Sequence, residues 1–270
     1  DYSLNKVAFT PSFHSPATVY AYVTYNLGFS PNKHEGKITG LAAYGKPQRT
    51  YSIFKSILNV NDTSYRVNKI GYGRLGAKRL HILMQNKRWE DIAAGLQKRF
   101  EEVCSKLIEN ALKKYPKKYI ALSGGAYANV KLNQKIAELK GVKKVFIHPH
   151  MGDGGLAVGA ALSLWSDLVI AKGNKPKPVE IDNVYFGNSY NDDQIESVLT
   201  KNKIKYKYVK NIEQEIAENL KQKKIVGRFH GRMEYGPRAL GSRSILADPT
   251  DKTINDWLNK RLARNEFMPF

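Results

Sequence analysis

Three observations predict a mixed α/β fold for this chain. Short apolar runs that read as strands alternate with longer runs that carry an apolar face at helical spacing. Two passages from strand to helix, at residues 123–125 and 152–155, run through glycine. Hydrophobic residues make up 42% of the 270, enough for a real core.

The elements follow in order. PATVYAYVTYNLGF (16–29) reads as a helix, with Val19, Tyr22, Val23 and Leu27 on one face and Gly28 suited to its stop. HEGKITGLAAYGKP (34–47) is glycine-rich around a short apolar middle. Residues 51–88, with GYGRLG at 71–76, read as loops and short strands. The clearest helix covers 89–115: Trp89, Ile92, Ala93, Leu96, Phe100, Val103, Cys104, Leu107, Ile108, Ala111 and Leu112 recur at three and four, and Pro116 stops it. Cys104 lies on that stripe and reads as core rather than as a nucleophile.

KYIALSGGAYANVKLNQKIAEL (118–139) then reads as a strand at 119–122, a tight turn and a helix. Residues 143–170 repeat the plan, with a strand at 145–148, a glycine loop at 152–155 and an apolar helix to about Ile170. AKGNKPKPVEIDN (171–183) is a proline and lysine break and the best candidate boundary, dividing the chain into domains 1–175 and 176–270. Beyond it, DDQIESVLTKN and IEQEIAENLKQKK read as helices, and KIKYKYV and KIVGRFHG as strands. There is no internal repeat.

The formal net charge of +20 bears on partners, not on fold. Lysines cluster at 113–118, 201–210 and 221–224. A solvated surface accounts for them better than a nucleic-acid site, because no zinc finger, RNA-recognition signature or basic zipper accompanies them. A single cysteine excludes an internal disulfide framework and fits a reducing, cytoplasmic setting. No apolar run approaches the roughly 20 residues of a membrane span. The chain opens on Asp1 and closes on Phe270 directly after a patterned segment, so it reads as a piece of a longer protein.

Three segments carry residues suited to chemistry. In LSGGAYAN, Gly124 and Gly125 let backbone N–H groups approach a phosphate or sugar, and Asn129 is placed to hydrogen-bond a base or ribose. On these residues alone, a Gly-Gly pair used purely for turn geometry is the favoured reading. In HPHMGDGG, His148, His150 and Asp153 are potential ligands within six residues. On spacing alone, a helix-capping Asp153 and two loop histidines is the favoured reading. HGRMEYGPRALGSRSILADP (230–249) is the most informative: Arg232, Arg238 and Arg243 follow Arg228 with no matching run of acids, which points to an external phosphate or phosphoanhydride. Glu234 is placed to orient one arginine or to accept from a substrate amine.

Together these segments resemble one family. EGKITGLAAYGKP, LSGGAYANVKLNQKI and HPHMGDGGLAVGAAL look like the second half of the N-terminal domain of nodulation-protein-U-type O-carbamoyltransferases, also found in antibiotic biosynthesis. GRMEYGPRALGSRSILADP and LNKRLARNEFMPF look like the opening of their C-terminal domain. The resemblance runs from about Ser15 to Phe270 in the family's order, and the long arginine motif is its most specific part.

What the resemblance implies is an α/β fold with part of an actin/Hsp70-like (ASKHA) nucleotide-binding domain followed by the beginning of a YrdC-like domain. It also implies a reaction. ATP and carbamoyl phosphate give carbamoyl-adenylate and pyrophosphate, and the carbamoyl group then passes to the hydroxyl of a small-molecule acceptor with the help of iron or another divalent metal. By match to the family's motifs, Arg232, Arg238 and Arg243 hold the phosphates; Gly124, Gly125 and Asn129 cradle the adenylate; Glu35 and Lys37 contact ribose or phosphate; Asp153 ligates the metal. Ser242 stands where the family often has Asn, and His230 where Gln is common. The family's metal-binding histidine motif lies upstream of the matched region, so His148 and His150 do not replace it. Transfer of a threonylcarbamoyl group to tRNA and a non-catalytic nucleotide-binding module are the competing functions. The expected setting is cytoplasmic, without membrane and with nucleic acid an unlikely partner; self-association is possible.

Overall fold

The first regular element is α1 (Pro16–Asn26), with Ser15 accepting from the Ala17 N–H at 3.3 Å and Pro16 in the first turn, where its missing N–H is harmless. Val19, Tyr20, Val23 and Leu27 are buried; Tyr20 takes the deep position expected of Tyr22, which is half-buried. Gly28 leaves the helix at φ +80°, a conformation that favours glycine. The computed structural model describes residues 5–251 and 253–263, in two units that divide after Leu156.

Two segments to which the sequence reading gives no helix are helical. α2 (Glu35–Leu41) buries Ile38, and α3 (Tyr51–Ile57) buries Phe54 and Ile57. An antiparallel hairpin follows, β1 (Leu58–Asn61) with β2 (Ser64–Val67), turning through Asp62 at φ +56°. The stretch holding GYGRLG is then α4 (Gly73–Met84), not a loop. Gly71 and Gly73 do supply positive φ, but only at the entry. Gly76 lies inside the helix, where a Cβ would come within 2.8 Å of the Tyr22 ring and of the Gly71 carbonyl. That glycine serves close packing, not chain reversal.

α5 (Trp89–Lys114) is the long helix the periodicity predicts. Its buried face of Ile92, Ala93, Leu96, Phe100, Val103, Cys104 and Ile108 organises the core of the first unit. The Phe100 ring meets Tyr20 edge-on at 5.1 Å. Beside it run β3 (Tyr119–Leu122), a 3-10 turn at Gly125–Ala128, α6 (Val130–Ala137) and β4 (Lys144–Ile147), one residue earlier than expected. β3 and β4 pair in parallel, Tyr119 opposite Lys144 through Leu122 opposite Ile147.

α7 (Leu156–Ala171) follows. With the 3-10 turn before it, it makes a 19-residue helical run, Asp153–Ala171, of mean hydropathy 1.6 and with no part buried. Among the described residues this run alone is long and apolar enough to cross a membrane by length and composition, which corrects the expectation that no run approaches that length. The glycines at its start, read as a loop, are helical and extend it.

The second unit holds α8 (Asp192–Lys201), started by a capping box between Asn191 and Gln194, and α9 (Ile212–Lys221), capped by Asn211. β5 (Val226–Phe229) and β6 (Arg243–Leu246) pair antiparallel, Val226 opposite Leu246 and Phe229 opposite Arg243. KIKYKYV is not part of any ladder among the described residues; Tyr206 instead donates to Glu196 at 2.5 Å. α10 (Ile254–Arg261) ends the described chain, and residues 264–270 of the last family-like motif lie outside the described residues.

Candidate functional site

Parallel strands direct their carboxyl ends to one edge, and the loops that leave them there form the usual ligand site of such sheets. Here β3 runs into the 123–125 turn and β4 into the 148–155 loop. The two are tied together: Gly124 N–H donates to the Met151 carbonyl at 2.6 Å, and His148 N–H to the Leu122 carbonyl at 3.3 Å. Gly124 has φ +112°, so an L side chain is strained there. Neither Gly124 nor Gly125 has anything within 4 Å of where a Cβ would stand, so the turn is open above its backbone. The N–H groups of Gly125 and Ala126, at the start of the 3-10 turn, take no partner among the described residues.

The second loop is closed by histidine. A Cβ on Gly154 would meet the His150 ring at 2.1 Å; one on Gly155 would meet the His150 carbonyl at 2.2 Å and His148 Nδ1 at 3.1 Å. Both imidazoles therefore lie directly over the glycines. Asp153 is exposed, and its carboxylate accepts no hydrogen bond among the described residues, so it caps no helix here. Among the described residues no three His, Cys, Asp or Glu side chains gather around a common point. Asp153 can offer one oxygen ligand to a metal, but this part of the chain does not assemble a shell.

Asn129 is engaged within the protein. Its Oδ1 accepts from the Leu132 N–H at 3.1 Å and caps α6. Its amide also pairs with Gln97, and its Nδ2 lies 3.5 Å from Thr39 Oγ1 on α2. α2 thus reaches the start of α6 through Thr39. Glu35, in the first turn of α2, accepts from Asn32 N–H at 2.6 Å. Lys37 is 2% exposed, with its Nζ 5.3 Å from the Phe29 ring centroid. Gln97 and Thr39 were missed in the sequence. Gln97 carried a signal: at i+4 from Ala93 and i−3 from Phe100 it is a polar residue on the apolar stripe.

In the second unit, residues 230–242 connect β5 to β6 and carry the arginines. Glu234 is the organiser of this loop. Its Oε1 accepts from the N–H groups of Leu240, Ser242 and Arg243 at 2.9, 2.7 and 3.2 Å. Desolvation pushes its pKa up, but its own backbone N–H and these three N–H groups together outweigh that and hold it down at about 2. Glu234 therefore binds the loop's own backbone. Gly236 at φ +116° and Gly241 at φ +101° make the turns that this closure needs.

The three arginines divide by environment. Arg243 gives its guanidinium to carbonyls, Nη1 to His230 and Ser242 at 3.0 and 2.9 Å and Nη2 to Gly231 at 3.2 Å, and stacks 3.5 Å over the Phe229 ring. Arg232 is exposed and donates from Nε to the Gly187 carbonyl at 3.0 Å. Arg238 is exposed on the same loop. The arrangement is a backbone fixed by a half-buried acid, displaying cations to solvent.

The family model described as carbamoyltransferase N-terminus matches residues 5–162, and the one described as carbamoyltransferase C-terminus matches residues 217–270. An uncharacterised protein of Methanocaldococcus jannaschii is 34% identical over 93% of this chain and 42% of its own length. Nodulation protein NolO of Bradyrhizobium diazoefficiens is 29% identical over 87% of this chain and 44% of its own. The 3'-hydroxymethylcephem-O-carbamoyltransferase of Streptomyces clavuligerus is 26% identical over 87% and 43% respectively. The chain spans about half the length of the curated relatives it matches.

Proposed function

The chain belongs to the carbamoyltransferase family, and on that premise we propose that it is part of an ATP-dependent O-carbamoyltransferase. One observation carries the reading: matches to the family's N-terminus and C-terminus lie in this one chain in that order, the second containing the arginine loop. In the proposed reaction, carbamoyl phosphate yields its phosphate to water. An oxygen of the resulting carbamate attacks the α-phosphorus of ATP, and pyrophosphate leaves. The hydroxyl oxygen of a small-molecule acceptor then attacks the carbamoyl carbon of the adenylate. AMP leaves, and the hydroxyl proton passes to a general base.

Arg232 and Arg238 take the phosphates in this reading, because anionic charge builds up at adenylyl transfer and a guanidinium fork meets it bidentately. Arg243 supports them by holding the loop ends together through carbonyls 230, 231 and 242. The open N–H groups beside Gly124 and Gly125 receive the adenylate phosphate, with Glu35 and Lys37 on the neighbouring α2. We read the first unit as part of an actin/Hsp70-like domain, supported by its parallel strand pair with glycine turns at the carboxyl ends, and the second as the beginning of a YrdC-like domain. Asp153 would be one ligand of a divalent metal, iron among the candidates; no step is routed through it. A cytoplasmic setting, where ATP is at hand, belongs to the same proposal.

The test uses the full-length protein with ATP and carbamoyl phosphate. Pyrophosphate release should require carbamoyl phosphate, and Arg238→Ala should lower it about 100-fold, the usual loss of one transition-state donor. Release that ignores carbamoyl phosphate, or that survives Arg238→Ala undiminished, overturns the reading.

A further inference from the structure

We propose that Gln97 is a positioning residue that fixes the 124–129 turn by pairing its side-chain amide head to tail with that of Asn129, so that the turn's backbone, and not Asn129, meets the nucleotide. The inference rests on the nucleotide reading of that turn.

The hydrogen bonds define the pair. Gln97 Nε2 donates to Asn129 Oδ1 at 3.0 Å, and Asn129 Nδ2 donates back to Gln97 Oε1 at 2.8 Å. Each amide is then filled. Asn129 Oδ1 also accepts from Leu132 N–H, and Asn129 Nδ2 also faces Thr39. Gln97 Oε1 also accepts from the Tyr20 hydroxyl at 2.8 Å, and Gln97 Nε2 also donates to Glu101 Oε1 at 2.7 Å. A primary amide has two donors and two acceptor positions, so both side chains are at capacity with protein partners alone.

The orientation of the pair is not arbitrary. The Leu132 N–H can only meet an oxygen, so Oδ1 of Asn129 lies on the α6 side and Nδ2 on the Thr39 side, with both turned to Gln97. Glu101 can only accept, which fixes Nε2 of Gln97 on the matching side. Gln97 is 7% exposed and Tyr20 4%, so water does not substitute for a lost partner. The network therefore joins α1, α2, α5 and α6 at the residue that ends the 3-10 turn. Asn129 N–H bonds to the Ala126 carbonyl, so a displaced Asn129 carries the turn with it.

The experiment uses the full-length protein, with AMP as the probe in titration calorimetry and amide hydrogen exchange of the 124–129 segment as the local readout. Gln97→Met keeps length and removes every hydrogen bond. It should speed exchange in the turn and weaken AMP binding about tenfold, the effect of roughly one lost hydrogen bond. Asn129→Ala should cause a similar loss, and the double variant should be little worse than either. Gln97→Glu supplies a signature that packing damage lacks. Its protonated carboxyl can donate to Asn129 Oδ1 and accept from Nδ2, whereas the ionised form only accepts and leaves Oδ1 facing a carboxylate oxygen. Glu101 is the nearest charge to the introduced group, Glu35 also bears on the pocket, and Tyr20 stays neutral there, so the introduced group should ionise above the ordinary carboxyl range. The AMP affinity of that variant relative to wild type should be near one at about pH 5 and fall by about pH 8; taking the ratio cancels the second ionisation of the AMP phosphate at about pH 6.

Unchanged exchange and AMP affinity in Gln97→Met overturn the inference. So do fully additive single losses, or a ratio of Gln97→Glu to wild-type affinity that does not change with pH. Faster exchange in Gln97→Met with no AMP binding even by wild type keeps the positioning role and removes the nucleotide reading instead.

Discussion

Gly95 lies in the interior of α5, where glycine is ordinarily a weakness. Replacing it by alanine should raise helix stability by about 1 kcal/mol if propensity alone decided. The structure predicts the opposite sign. A Cβ at Gly95 would stand 2.2 Å from Thr50 Oγ1 and 3.0 Å from both Thr50 C and Tyr51 N. Ordinary contact begins near 3.4 Å, so the start of α3 must retreat from α5 by more than a small adjustment. That retreat also breaks the bond from Thr50 Oγ1 to the Asp91 carbonyl, 2.5 Å long and buried, which contributes about 1 kcal/mol. Overpacking of this kind costs about 1–3 kcal/mol. The net expectation is a loss of about 1–3 kcal/mol, read by urea denaturation followed by circular dichroism. Gly36→Ala is the matched control. It lies in α2 with nothing within 4 Å and no positive φ, and should gain about 0.5 kcal/mol. A Gly95→Ala variant as stable as Gly36→Ala would refute the close-packing argument.

Other expectations follow from single residues. Burial pushes the Cys104 thiol up to about 12, so it should resist a thiol reagent at pH 8 in the native state and react on unfolding. Glu234, held at about 2 against an unfolded value of 4.5, stabilises its loop fully above pH 4.5 and loses that contribution as pH falls through 2. A carboxyl titration by NMR checks this, and a midpoint above 4 would remove Glu234 as the organiser of the loop. Arg243→Lys should loosen the 230–243 loop, because an ammonium cannot reach the carbonyls of 230, 231 and 242 at once while stacking on Phe229; faster amide exchange there is the measure. Binding of tRNA to the full-length protein should be weak, and a steep fall of tight binding with salt would favour the tRNA reading that the +20 charge keeps in view.

Much of this was legible in the sequence because it follows local rules. The apolar stripe of α5, the strand 119–122, the glycine turns and the crowded arginines are each readable within a few residues. α2 and α4 were not, because their glycines counted against a helix until neighbouring elements showed what they are for. Gly76 packs on Tyr22, and no local rule reveals a partner 54 positions away.

The composition and periodicity of the chain by themselves determine its α/β class, its main helices and the inventory of groups from which a site can be built. They identify Asn129, Glu234 and Arg243 as polar residues in telling places. Only the tertiary structure decided what each one holds: Asn129 pairs with Gln97, Glu234 gathers three N–H groups of its own loop, and Arg243 grips carbonyls and an aromatic face. The reason is physical. Helical and strand preferences are properties of neighbouring residues, whereas a buried donor is satisfied by whichever acceptor folding brings to it, and that acceptor can lie anywhere in the chain.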